Sequence, residues 1–433
     1  MKKLYIHIAV LFSAISIVAQ KPLVANKQTQ SISISNVMIH VGNGTVIENG
    51  MVALADGKFT YVGVPNKMKY DIAIDGSGKH LYPGFILMNS TIGLREIDAV
   101  RSTLDYDETG NITPEVRAIT SYNTDSKIIP TIRFNGVLIA QSTPRGGLIS
   151  GQSSVVQLDA WNWEDAAIKM EEGMHVNWPN RNQIIYSNQS NVDESKLKTD
   201  RNNAINKIKD MFDRTVMYMN ETTHEEYNGK CESMKGLFTG AKTLYIHVNT
   251  EKDIMESVMY FETIGVKKIV LVGAYEGYKI LDFIKQHNLT VLIDRIHELP
   301  HNEDDDVKLP YKMAKLMWDA GIVFTFSHDG EMEVMGSRNL PFNAGTAVAY
   351  GLGQEQAIQM MTLNAAKILG VDSQLGTIEV GKDATFFISN GDALDMMGND
   401  LALAYISGRQ IVLENSQYDL YQMYVGKYGL KMK

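Results

Sequence analysis

The chain has 433 residues, 44% of them hydrophobic and 21% charged, enough for one large barrel with an attachment or for two or three average domains. Acidic residues outnumber basic ones, 50 to 41, for a formal charge of −9, which excludes nucleic acid as the main partner because phosphate binding needs a basic surface. A single cysteine, Cys231, excludes an internal disulfide and leaves stability to burial.

In chain order, residues 1–20 have the pattern of a secretory signal peptide. Lys2 and Lys3 precede an apolar run from Leu4 to Ala19. That run is short for a membrane span, which needs roughly 20 residues. The mature chain is therefore expected to be exported, periplasmic or secreted, without a membrane anchor. Residues 31–64 alternate apolar and polar positions, as in Ile32-Ser33-Ile34-Ser35, with turns at Gly42-Asn43-Gly44, Asn49-Gly50 and Asp56-Gly57. This spacing predicts a small antiparallel sheet. Residues 105–135 are polar and turn-rich and predict an elaborated loop. Residues 136–141 predict a buried strand, running into the glycine-rich segment 144–152. That segment either brings backbone amides to a ligand or makes a tight turn, and it lacks the register of a phosphate-binding loop. A helix is expected over 163–170, a strand over 173–178, and a mostly helical insertion over 180–243.

From residue 243 strand and helix alternate. Leu244-Tyr245-Ile246-His247-Val248 reads as a strand, residues 253–264 as a helix, 268–272 as a strand and 276–287 as a helix. Residues 290–293 read as a strand, 311–320 as a helix and 321–327 as a strand. Repeated units of this kind imply a parallel sheet and suit a (β/α)8 barrel, whose chemistry sits at the strand C-termini. His247 and Asp329 both lie at such ends. A helical stretch follows over 343–370, then sheet texture returns to about residue 413. The segment 416–433 is aromatic and basic and is expected to pack on the body.

Three stretches resemble the amidohydrolase superfamily. Gly78, Lys79, Pro83, Gly84, Phe85, Ile86 and Gly93 match the frame of its first barrel strand. Thr362 to Gly370 is similar to Thr-x-Asn-x-Ala-x-x-Leu-Gly, and Gly376 to Ala384 to Gly-x-Ile-x-x-Gly-x-x-Ala. The imidazolonepropionase and prolidase-like branch looks most similar. The resemblance implies an α/β fold, a TIM-like (β/α)8 barrel with a small composite β-sandwich domain built from both chain ends. The implied division is residues 31–82 and 376–415 for the composite domain, 83–375 for the barrel and 416–433 for a tail. It also implies hydrolysis of a carbon–nitrogen bond in an amide, cyclic amide or dipeptide-like small molecule, with a divalent metal, zinc by family habit.

The carry-over of the site is partial. Asn89-Ser90-Thr91 stands where the family has His-x-His. His247 matches the fifth-strand ligand, Asp329 the eighth-strand aspartate, and His175 is a candidate third ligand. Catalysis is thus assigned to Asp329 and His247, and substrate contacts to Asn89, Thr91, Arg145 and Arg295. Two expectations follow. One is an active hydrolase with a reduced or rearranged metal site. The other is an inactive homologue serving as a binding module or as the partner of an intact paralogue, with assembly into homo- or hetero-oligomers.

Overall fold

The computed structural model describes residues 24–181, 194–221, 226–328 and 332–431. The expected signal peptide and Asp329 lie outside the described residues. Among the described residues no helix is long and apolar enough to cross a membrane.

The chain ends build the first sheet. Its strands are β1 (Ile32–His40), β2 (Val46–Ala55), β3 (Lys58–Gly63), β4 (Ile72–Asp75) and β5 (His80–Pro83). The far end of the chain adds β14 (Phe386–Ser389), β15 (Leu401–Ile406) and β16 (Arg409–Gln410). The order is β16-β15-β14-β5-β1-β2-β3, with β4 also on β1. Strand β1 breaks at Asn36, whose φ of +59° is left-handed. Its first half pairs with β4 and its second half with β5. The sheet therefore bends back on itself around Ile34, Val37, Ile39, Leu54, Phe59, Phe386 and Tyr405, all buried.

The second sheet is the barrel. It runs in chain order through β6 (Phe85–Ser90), β7 (Val137–Ser142), β8 (Ile149–Gln157), β9 (Ala167–Asn177), β10 (Thr243–Val248), β11 (Ile269–Gly273), β12 (Thr290–Ile293) and β13 (Phe324–Phe326). A bridge between Met88 and Ser327 brings its last strand back to its first. The expected barrel is present with one departure. β8 is antiparallel to both neighbours, while β9 to β13 are parallel in succession. The expected helix over 163–170 is also corrected. Only Trp163–Ala166 is helical, and β9 begins at Ala167. The misreading has a local cause. β9 carries a bulge at Glu171, in left-handed conformation, which interrupts the alternation a strand is recognised by.

The helices Glu194–Asn220 and Gly229–Thr239 fill the polar region between β9 and β10. Ile205, Ile208, Met211 and Phe212 face inward, as their helical spacing requires. Arg181 and Arg201 both bond Asp253 and Glu256, which tie this insertion to the helix Glu251–Thr263. The segment 416–433 departs from expectation. It forms the helix Ser416–Tyr428, but Tyr421, Tyr424 and Tyr428 are exposed. Tyr418 meets Phe134, and Val425 is its buried residue.

Candidate active site

The barrel interior changes character along its axis. At the N-terminal end Ile86, Met88, Ile139, Val155, Val270, Val272 and Leu292 form an apolar cluster, with Ala365, Ala366 and Leu369 of the helix Ala365–Leu369 packed into it. Towards the strand C-termini Asn89, Gln141, Ser153, Glu172, His175, Thr325 and Ser327 take over, all fully buried or nearly so. Buried polar groups must find partners, and here Asn89, Gln141, Ser153, Glu172, His175 and Ser327 find them within the barrel.

On β6, Asn89 sits in a bulge with φ +52°, a conformation asparagine tolerates better than most residues. Its side chain donates to Ser327 Oγ (2.9 Å) and accepts from Arg145 Nη1 (2.9 Å). Arg145 Nη2 donates to the Asn89 carbonyl (2.8 Å) and to Glu333 Oε1 (3.0 Å). Glu333 Oε1 also accepts from the Thr91 amide (2.9 Å). Across the barrel, Glu172 Oε1 accepts from Gln141 (2.5 Å) and Ser153 (2.7 Å), and its Oε2 from the Tyr245 hydroxyl (3.1 Å). His175 Nε2 lies 2.9 Å from Ser153 Oγ, and His175 Nδ1 lies 3.0 Å from His247 Nε2. The His175 ring stacks on Tyr245 with centroids 4.7 Å apart. His247, half-buried at the end of β10, is the outermost member.

Burial sets the charges. It pushes the His175 imidazole well below its ordinary pKa, with His247 and Arg145 adding to the effect, so His175 is neutral. It pushes the Glu172 carboxyl up, against the hydrogen bonds from Gln141, Ser153 and Tyr245.

The sequence-derived candidates thus divide. Asn89, Thr91, Arg145, His175 and His247 come together at the strand C-termini. Arg295 lies apart, beside Gly273, Tyr275, Asp294 and Glu298. Two further histidines have separate surroundings: His297 bonds Thr346 and His301 pairs with Glu298. In the acidic cluster 303–306, Asp305 accepts from Tyr275 and Tyr278, and Asp306 pairs with Lys312. Sequence reading missed Gln141, Ser153, Glu172, Tyr245, Ser327 and Glu333. Gln141 and Ser327 stand at strand ends, a signal that was legible. Glu172 was hidden by the bulge beside it.

The described residues do not fit a three-ligand metal centre. No group of three or more His, Cys, Asp or Glu side chains among them could hold an ion, and catalytic zinc takes three protein ligands. His175 uses both ring nitrogens within the network. The Asn89 side-chain oxygen already accepts from a cation, the Arg145 guanidinium. Thr91 keeps a buried hydroxyl oxygen with no hydrogen bond to the described residues.

Close packing supports the network. A Cβ on Gly173 would lie 2.2 Å from the Tyr245 ring and 3.1 Å from Ser153 Oγ. Gly173→Ala is therefore expected to destabilise the chain by about 1–3 kcal/mol, the usual cost of overpacking, and to shift the ring from Glu172. Urea unfolding and near-ultraviolet circular dichroism measure both effects. An unchanged midpoint would show that the ring has room to move.

Residues 167–413 match the profile of the Amidohydrolase family. The chain is 23% identical over 421 residues to the 5-methylthioadenosine/S-adenosylhomocysteine deaminase of Thermoanaerobacter pseudethanolicus, covering 86% of this chain and 90% of that one. It is 32% identical over 82 residues to the imidazolonepropionase of Syntrophobacter fumaroxidans, 19% of each chain. In three dimensions it is similar to an amidohydrolase from Thermotoga maritima, with a TM-score of 0.77 at 22% identity, covering 88% of this chain and 99% of the other.

Proposed function

The chain belongs to the amidohydrolase family, hydrolases of carbon–nitrogen bonds other than peptide bonds, and on that premise we propose that it is an exported hydrolase of a small amide, cyclic amide or dipeptide-like compound with a rearranged site. The family is generally metal-dependent. In this chain the work is assigned to side chains. The observation that carries the reading is the pair His175 and His247, joined at 3.0 Å where β9 and β10 end, the face on which barrel enzymes act.

His247 takes a proton from water as the water oxygen adds to the amide carbon. It returns the proton to the nitrogen as the carbon–nitrogen bond breaks, giving an acid and an amine. The Thr91 hydroxyl donates to the substrate. Arg145 and Glu333 hold Asn89 and the Thr91 amide in place. Asp329, adjacent in sequence to the buried His328, keeps the family's role as proton shuttle.

A panel of N-acyl amino acids, dipeptides and cyclic amides, followed by mass spectrometry, tests the reading. His247→Ala is expected to lower kcat/KM by roughly 10²–10⁴-fold, the usual worth of a general base, and Asp329→Asn to lower it independently. Total metal in the purified chain is expected to be well below one ion per molecule. A stoichiometric ion that His247→Ala releases would overturn the metal-poor site.

The same network, in which the Asn89 oxygen and both His175 nitrogens already have partners, favours a second reading, a silent barrel that binds a small molecule or partners an intact paralogue. Well-folded protein that turns over nothing in the panel, with His247→Ala unchanged in ligand binding, would support it.

A further inference from the structure

The hydrogen bonds across the barrel form a chain with a direction, and that direction starts at a group whose role is fixed. The Asn89 backbone amide can only donate, and it lies 2.9 Å from Gln141 Oε1. The Gln141 oxygen therefore faces β6, and its nitrogen faces Glu172 Oε1 and Ser153 Oγ. Glu172 Oε1 accepts from both Gln141 and Ser153, as a carboxylate oxygen or as the carbonyl oxygen of a carboxyl protonated at Oε2. The Ser153 hydroxyl spends its one proton on Glu172, and its oxygen accepts from His175 Nε2. With its proton on Nε2, neutral His175 presents a lone pair at Nδ1, and the partner there is His247 Nε2. That nitrogen must carry the proton.

We infer that Gln141, Ser153, Glu172 and His175 are positioning residues that lock His247 in the Nε2–H tautomer, with the Nδ1 lone pair as its basic site. The inference rests on the reading of His247 as the reacting base, and it says which nitrogen reacts and what holds it. Four strands contribute in succession, β7, β8, β9 and β10, and the Asn89 amide of β6 sets the sense. The required property of Glu172 is an acceptor oxygen, whatever the state of its other oxygen. A proton on Oε2 would leave the polarity unchanged, with the Tyr245 hydroxyl as acceptor.

Nitrogen-15 spectra of the histidine-labelled full chain read the tautomer directly, and loss of signals in His247→Gln assigns the ring. The wild-type chain at neutral pH is expected to show His247 with Nε2 protonated and Nδ1 in the range of an unprotonated ring nitrogen. In Ser153→Ala the two shifts are expected to move towards each other as the tautomers interchange. Glu172→Gln retains an acceptor oxygen and is expected to keep the wild-type pattern, so a general loss of packing cannot mimic the result. A proton on His247 Nδ1 in the wild type overturns the inference, as does a Ser153→Ala spectrum identical to wild type. The predicted tautomer in a chain without turnover supports the lock and overturns only the hydrolase reading.

Discussion

Arg145→Ala is expected to destabilise the chain by about 3–5 kcal/mol, the range for removing one partner of a buried ion pair. The Glu333 side chain is 2% exposed and that of Arg145 15%, so water reaches neither freely. Without the guanidinium, the Glu333 carboxylate retains the Thr91 amide and loses the Arg145 ion pair. Asn89 loses partners at both its side-chain and backbone oxygens. Arg145→Met combined with Glu333→Leu removes both charges and is expected to recover much of the loss. Urea unfolding of the three variants measures it. A single variant that unfolds at the wild-type midpoint would show that the pair is not part of the barrel's support.

A second large loss is expected for Asp159→Ala, again about 3–5 kcal/mol. The Asp159 side chain is 1% exposed and accepts from Arg133 Nη1 (2.7 Å), Arg409 Nη1 (2.9 Å) and the Ala25 amide (2.9 Å). Arg133 belongs to the helix Ile129–Arg133 before β7, Asp159 follows β8, and Arg409 opens β16. One carboxylate thus joins the barrel to the composite sheet. Its removal leaves two guanidiniums in a buried place with their common counter-charge gone. Calorimetry is expected to show a lower Tm and a transition broadened towards separate unfolding of sheet and barrel. Asp159→Asn keeps an acceptor oxygen and is expected to lose less. A sharp single transition at the wild-type temperature in the alanine variant would refute this role.

The fold was legible because its strongest signals are local. Gly78 to Gly93 marks the passage from sheet to barrel, and from Leu244 to Phe326 each strand and helix has its own period in the sequence. β8 was harder, since nothing local says whether a strand runs up or down. The site was legible where a side chain stands at a strand end, as with His247, Asn89 and Arg145. It was obscure where tertiary pairing gives an ordinary residue its meaning. Ser153 and Gln141 matter through a carboxylate on β9, and Glu172 reaches them only because of the Glu171 bulge. Glu333 follows the last barrel strand by several residues and meets Arg145 across 188 positions. Spacing arguments carry no information over that distance.

The pairing of β5 with β14 sets the timetable of assembly. Pro83 pairs with Phe386 and His80 with Ser389, contacts about 300 positions apart along the chain. The β1–β5 segment is made first and can form its hairpins at once, yet β5 keeps one open edge until nearly the whole barrel has been made. Closing so long a loop is slow, and an open strand edge is an invitation to the wrong partner. Completion of the composite sheet must therefore wait for β14, and a chain stopped after the barrel would expose the edge of β5 where β14 belongs.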